Sequence, residues 1–185
     1  MLPALDAVII TVTLSNKYAS SKRWANLLSF LDSYKGQLFY MSSTSVYPEA
    51  EQEFFEADVA AEAISGEREI KEKYPQVNIL RLAGLMGDER QLSKYKVANL
   101  NHAVNHIHYT DICAVLEKMM ELQLNSKLYN VVAPLHPSKA EVISQQKQLD
   151  YSEQKEVKGK RISSAKLISE LDFLFSYPDP RDFHL

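Results

Sequence analysis

Apolar and polar positions along this chain fall into short blocks whose periods differ. Leu5 to Leu14 is apolar, rich in β-branched residues and almost without polar interruption. That pattern predicts a strand buried on both faces of a parallel sheet. Little chain precedes it, so a neighbour on one side has to come from elsewhere. Over Ser20 to Tyr34, Trp24, Leu27, Leu28 and Leu31 recur at helical spacing. Ser20 or Ser21 is placed to cap that helix, and Gly36 to end it. Residues 37–47 follow: Leu38 to Met41 is an apolar run that stops at Ser42, Ser43, Thr44 and Ser45, then Val46, Tyr47 and Pro48. A short apolar run bounded by turn residues reads as a buried strand. Its four hydroxyls would then lie at the carboxyl end of the sheet, where open α/β sheets bind ligands. A serine-rich turn without a ligand is the alternative reading.

The pattern continues in the same alternation. Residues 48–57 are acidic and loop-like, and Asp58 is placed to cap a helix to Lys73, with Gly66 inside it. Val77 to Leu82 is a third strand, and residues 83–87 turn out of it. His106 to His108 predicts a short strand. A helix capped by Thr110 or Asp111 presents Ile112, Val115, Leu116 and Met119 on one side. Leu128 to Val132 is a further strand. Ser138 and Glu141 form a capping box for a helix to Leu149. A charged linker then leads to a short strand at Arg161–Ile162 and a helix over residues 164–171. Alternating strands and helices predict an α/β parallel sheet.

Composition narrows the partners. The chain has 185 residues and a formal net charge of −3, with 45% hydrophobic residues. This suits one domain, or one with a small appendage, and supplies no basic face for nucleic acid. A single cysteine, Cys113, excludes a disulfide framework and a cysteine-based zinc site; it is expected in the core. No apolar run reaches the length of a membrane helix and no signal peptide is recognisable, so a cytoplasmic protein without membrane partners is expected. His102, His106 and His108 lie close together, but no carboxylate joins them before Asp111, and no metal is expected.

The order of these motifs carries a resemblance. The stretches DAVIITVT, LFYMSSTSVY, NILRLAGLMG, HIHYTDICAVLEKMM, YNVVAP and GKRISSAKLISELDFLFSYPDPRDF together resemble the extended short-chain dehydrogenase/reductase superfamily. Within it they are similar to the NAD-dependent epimerase/dehydratase family, described as nucleoside-diphosphate-sugar epimerase-like. The resemblance implies a Rossmann-like parallel sheet lacking its first βαβ unit, with a small C-terminal α+β portion. Residues 1–105 would form the partial NAD(P)-binding domain. Residues 106–185 would supply the remaining strands and the substrate-domain-like region.

The resemblance also implies roles. Ser43, four positions before Tyr47, matches the residue that orients substrate. Thr11 and Val12 match positions on the adenine–ribose side of the cofactor, Ser42 and Ser43 the nicotinamide side, and Leu82 and Ala83 backbone contacts to the nicotinamide. Gly84 and Met86 would face substrate. The family's Tyr-x-x-x-Lys pair has no match. Aligning its downstream acidic residue to Glu72 puts Ile64 at the tyrosine position and Arg68 at the lysine position. Isoleucine cannot carry a proton, and arginine does not titrate. Tyr18 with Lys22, and Tyr151 with Lys155, have the right spacing in the wrong places.

The Gly-rich phosphate turn is absent as well: the chain's glycines are 36, 66, 84, 87 and 159. These departures suggest an N-terminally truncated copy. It is expected to bind NAD(P)H poorly and to self-associate through an exposed edge at Ala7–Val12. The function read from the resemblance is an NAD(P)-dependent sugar-nucleotide epimerase, dehydratase or reductase relative, incomplete or catalytically impaired. The alternative is a non-catalytic nucleotide-sensing or protein-interaction module.

Overall fold

The computed structural model describes residues 5–12, 21–151 and 156–183. Among them, the strands β1 (Ala7–Ile10), β2 (Gln37–Ser43), β4 (Asn78–Leu82) and β7 (Leu128–Val131) form a four-stranded sheet in the order β1-β2-β4-β7. All three pairings are parallel. Ser42 lies beside Arg81, and Ser43 beside Leu82. Two short parallel pairs extend this sheet's carboxyl side: β3 (Glu53–Phe54) with β8 (Arg161–Ile162), and β5 (Gly84–Met86) with β6 (His106–His108).

The side-chain period of two in β2 divides the core. Leu38 and Tyr40 pack on one face with Trp24, Leu28 and Leu31 of α1 (Ser21–Leu31) and with Ile70 of α2 (Ser65–Lys73). Phe39 and Met41 pack on the other with Val115, Leu116 and Met119 of α3 (Tyr109–Glu121) and Leu167 and Leu171 of α5 (Ala165–Leu171). Helices therefore cover both faces, and Leu38 to Met41 of β2 reads as an apolar run for that reason. A third cluster, Leu92, Val104 and Val142, lies under α4 (Lys139–Gln146). Strand β7, from beyond residue 105, pairs directly with β4, so both stretches of chain share one sheet.

Several local expectations need correction. Strand β1 is not buried on both faces: it spans four residues, pairs only with β2 among the described residues, and leaves Ile9 42% exposed. A strand with one neighbour has one open edge whatever its composition. Helix α1 ends at Leu31, where Asp32 takes the left-handed conformation with φ 47°; Gly36 does not cap it. The aspartate tolerates this geometry. Ser20 lies outside the described residues.

The helix expected from Asp58 starts only at Ser65, after a 3₁₀ turn over Ala61–Ile64. The Asp58 carboxylate instead accepts from the Phe55 amide. Residues 84–86 form a strand rather than a turn because His106–His108 offers them a partner. The cap of α3 is His108, whose Nδ1 accepts from the Thr110 amide at 3.3 Å. Asp111 is fully buried, and its carboxylate accepts from the amides of Ser176 and Tyr177. Cys113, on α3, is exposed rather than core. The capping box at Ser138 and Glu141 is present with both reciprocal bonds.

Candidate functional site at the carboxyl edge of the sheet

Strand β2 ends at Ser43, and a 3₁₀ turn over Thr44–Val46 begins there. The Ser43 hydroxyl caps that turn by accepting from the Ser45 amide at 3.1 Å. Its own proton can still be donated. Two hollows meet at this point. One, of about 350 Å³, is lined by Ser43, Ser45, Gly84, His106, Lys139 and Lys160 among others. The other, of about 240 Å³, lies toward α2 and is lined by Ser42, Ser43, Ala63, Ile64 and Glu67. The larger is at the small end of ligand-binding pockets.

Below the hollows lies a buried polar network. Arg81 of β4 is 1% exposed and donates four hydrogen bonds. Two go to the Glu67 carboxylate, at 2.9 and 2.8 Å, one to the Tyr47 hydroxyl and one to the Glu56 carbonyl. Burial alone would lower the arginine's pKa, but the Glu67 hydrogen bonds and charge outweigh it and the pKa is raised. Ser42 donates to Glu67 at 2.6 Å. Tyr47 donates to the Asn130 side-chain oxygen at 2.7 Å, and the Asn130 amide donates to the Glu56 carboxylate. Burial pushes the Tyr47 phenol up, against the opposing pull of Arg81 and Asn130. Tyr47 is thus a neutral strut between two strands, occupied at both its donor and acceptor sites.

The residues singled out from the sequence do not all come together. Ser43, Ala83 and Gly84 come together in the larger hollow. Ser42 lines the smaller one while its hydroxyl is held by Glu67. Thr11 and Val12, both exposed, lie just past β1; Leu82 is half-buried in β4. Met86 packs against the Leu92, Val104 and Val142 cluster, away from both hollows' described linings. Tyr18 and Lys155 lie outside the described residues.

The acidic residue of α2 with buried partners is Glu67, whereas Glu72 is exposed. Counting back from Glu67 by the same spacing gives Ala63 and Val59 at the lysine and tyrosine positions. Both registers leave the proton-transfer pair unfilled, and Ala63 and Ile64 themselves line the smaller hollow.

The histidines do not converge on a metal. Among the described residues no group of three or more His, Cys, Asp or Glu side chains could hold one. His106 is held neutral: burial, and then the charges of Lys139 and Arg90, bring its pKa down to about 4. Its Nδ1 is buried without a hydrogen-bond partner. His108 stacks on Tyr177 with ring centroids 3.8 Å apart.

A dinucleotide pyrophosphate needs backbone amides at close range, usually from glycines after the first strand. Residues 11–20 contain none. Gly36 precedes β2, Gly66 lies in α2, Gly84 and Gly87 lie at β5, and a Cβ on Gly159 would meet His102. These residues do not make a pyrophosphate seat beside β1.

No family model matches the chain. It is 28% identical over 163 residues to protein YeeZ of Escherichia coli K12, an alignment covering 78% of this chain. The chain spans 60% of that relative's length. Among solved structures it is similar to UDP-glucuronic acid 4-epimerase from Bacillus cereus in complex with NAD, with a TM-score of 0.71 and 15% identity over 97% of this chain and 71% of that one. The fold is that of the NAD-dependent epimerases and dehydratases. ADP-L-glycero-D-manno-heptose-6-epimerase from Helicobacter pylori shares this epimerase/dehydratase fold, at a TM-score of 0.66 and 18% identity over 96% of this chain and 71% of that one. A conserved protein of unknown function from Silicibacter pomeroyi shares it at 0.74, with 19% identity, 100% of this chain and 78% of that one covered.

Some of the site was not found from sequence. Glu56, Glu67, Asn130, Lys139 and Lys160 were missed. One signal was available: Arg81 interrupts the apolar stretch from Ile79 to Leu82, and a charge in a doubly covered strand needs a buried partner.

Proposed function

We propose that this chain is an epimerase/dehydratase-like protein, related to the NAD(P)-dependent enzymes acting on nucleotide sugars, whose site retains ligand-binding surface without proton-transfer chemistry. One observation carries the reading. The smaller hollow beside Ser43 is lined by Ala63 and Ile64, and neither register counted on α2, Ile64 with Arg68 or Val59 with Ala63, supplies a tyrosine and a lysine. Ser43 can orient a hydroxyl or carbonyl, but α2 sets no tyrosine beside it to take the proton. The buried Glu67–Arg81–Tyr47 network supports this reading, because it braces the strand ends without requiring chemistry above them. Cofactor binding by these residues would be weak, since they supply no pyrophosphate seat.

The test is a fluorescence titration with NADH and NADPH, run beside a turnover assay with UDP-glucuronic acid and NAD. Weak binding and no turnover are expected. Micromolar NADH affinity or measurable epimerisation overturns the proposal.

A further inference from the structure

Residues 176–183 form a strap across the start of α3, ending in a 3₁₀ turn over Pro180–Asp182. The Asp111 carboxylate accepts from the amides of Ser176 and Tyr177, at 2.7 and 3.1 Å. The Pro178 carbonyl accepts from the Leu135 amide at 3.2 Å. Arg181 lies 3.7 Å from Glu141 of α4. Between these points the strap is seated on one ring. Tyr177 stacks on His108 with ring centroids 3.8 Å apart, and Phe183, 2% exposed, meets the same ring edge-on at 5.5 Å.

His108 is closely confined. It is 2% exposed. On the β5 side it fills the room that Gly87 leaves: a Cβ there would lie 2.5 Å from the His108 Nε2, and Gly87 has φ 136°. The Tyr109 ring stands 4.5 Å away. A ring enclosed on these sides cannot turn without moving Tyr177. Its Nδ1 accepts from the Thr110 amide at 3.3 Å and so caps α3. That bond requires a neutral imidazole with its proton on Nε2. A proton on Nδ1 would set N–H against N–H and place a positive charge at the positive end of the helix dipole.

The charges around the ring are already engaged. Asp88, from the turn after β5, accepts from the Tyr109 hydroxyl, and Asp111 of α3 is taken by the strap's two amides. Both carboxylates favour a charged ring, but burial outweighs them and the His108 pKa is lowered. Tyr109 stays neutral, its pKa raised by the bond to Asp88. On the strap, Arg181 is paired with Asp179 at 2.6 Å, and the Tyr177 phenol completes the titratable groups against the ring.

We infer that His108 is an acid-sensitive latch: taking up a proton breaks its cap on α3, turns the ring out of its seat and frees residues 176–183 while the sheet stays folded. The sign follows from linkage. The closed state holds the ring neutral and the open state does not, so opening takes up one proton and grows as pH falls below 6.5, the ring's ordinary value. Local opening of this kind needs less free energy than unfolding of the core.

The experiment is hydrogen exchange of the full chain, read by mass spectrometry from about pH 7.5 to about pH 4.5, with the intrinsic chemical rate divided out. Protection of residues 176–183 is expected to lie below that of β2 and β4. It is expected to fall by up to about tenfold per pH unit below 6.5, the slope of one proton. His108→Asn keeps a side-chain acceptor for the Thr110 amide and removes the titration, so its strap should show the same protection across the range. Should that variant not fold, an NMR titration of the unsubstituted chain decides instead, with a His108 ring midpoint below 6.5 expected. A strap indifferent to pH, a slope that persists in His108→Asn, or a ring midpoint at or above 6.5 overturns the inference. So does a strap that exchanges no faster than β2 and β4, because it would then open with the whole chain.

Discussion

Replacing Arg81 by methionine removes the centre of the network under the site. The guanidinium is 1% exposed and makes four hydrogen bonds. Without it the Glu67 carboxylate, itself 5% exposed, keeps only the Ser42 hydroxyl among its side-chain partners given above. The Tyr47 hydroxyl also loses a donor. Breaking a buried pair by removing one partner costs about 3–5 kcal/mol, because the remaining charge is left uncompensated. That is a large part of the stability of a typical domain, about 5–15 kcal/mol. Replacing both partners, Arg81→Met with Glu67→Leu, removes the orphaned charge and should cost less than Arg81→Met alone. Equilibrium urea unfolding of the wild type, both single variants and the double variant measures this, with midpoints compared at constant slope. A loss below about 1 kcal/mol for Arg81→Met, or a double-variant loss equal to the sum of the singles, would refute the reasoning.

Two further outcomes follow from the same geometry. His106 has its pKa brought from 6.5 to about 4, by burial first and then by Lys139 and Arg90. The unfolded chain therefore binds this proton first, and stability falls as pH drops through the window from 6.5 to 4. The full effect is about 3 kcal/mol. His108 and His136 are also lowered, chiefly by burial, and act in the same direction. An NMR titration should show the His106 ring midpoint near 4; a midpoint above 6 contradicts the burial argument. At the sheet edge, Ile9 and Val12 are exposed beside a strand paired on one side among the described residues. Sedimentation velocity should show concentration-dependent self-association that Ile9→Lys suppresses; a clean monomer at high concentration counts against it.

The sequence was most legible where a single element's own pattern decides the outcome. The spacing of Ile112, Val115, Leu116 and Met119 placed the buried face of α3, and Ser138 with Glu141 placed a cap that needs only its own turn. The apolar run ending at four hydroxyls placed Ser43 at the carboxyl end of a central strand. Its meaning depended on distant residues. Glu67 rather than Glu72 turned out to be the buried acidic residue of α2, because only Glu67 lies where Arg81 can reach it. Asp58 and Asp111 each carry a cap-forming side chain, yet both serve loop amides instead, since those amides are nearer in the folded chain.

Local sequence therefore determined the α/β alternation, the parallel sheet and the hydroxyl-rich strand end, because periodicity and turn chemistry act over a few residues. Tertiary structure decided which charges are buried together and that Lys139 and Lys160 share a hollow with Ser43. Those outcomes depend on contacts between residues far apart along the chain, which no local pattern encodes.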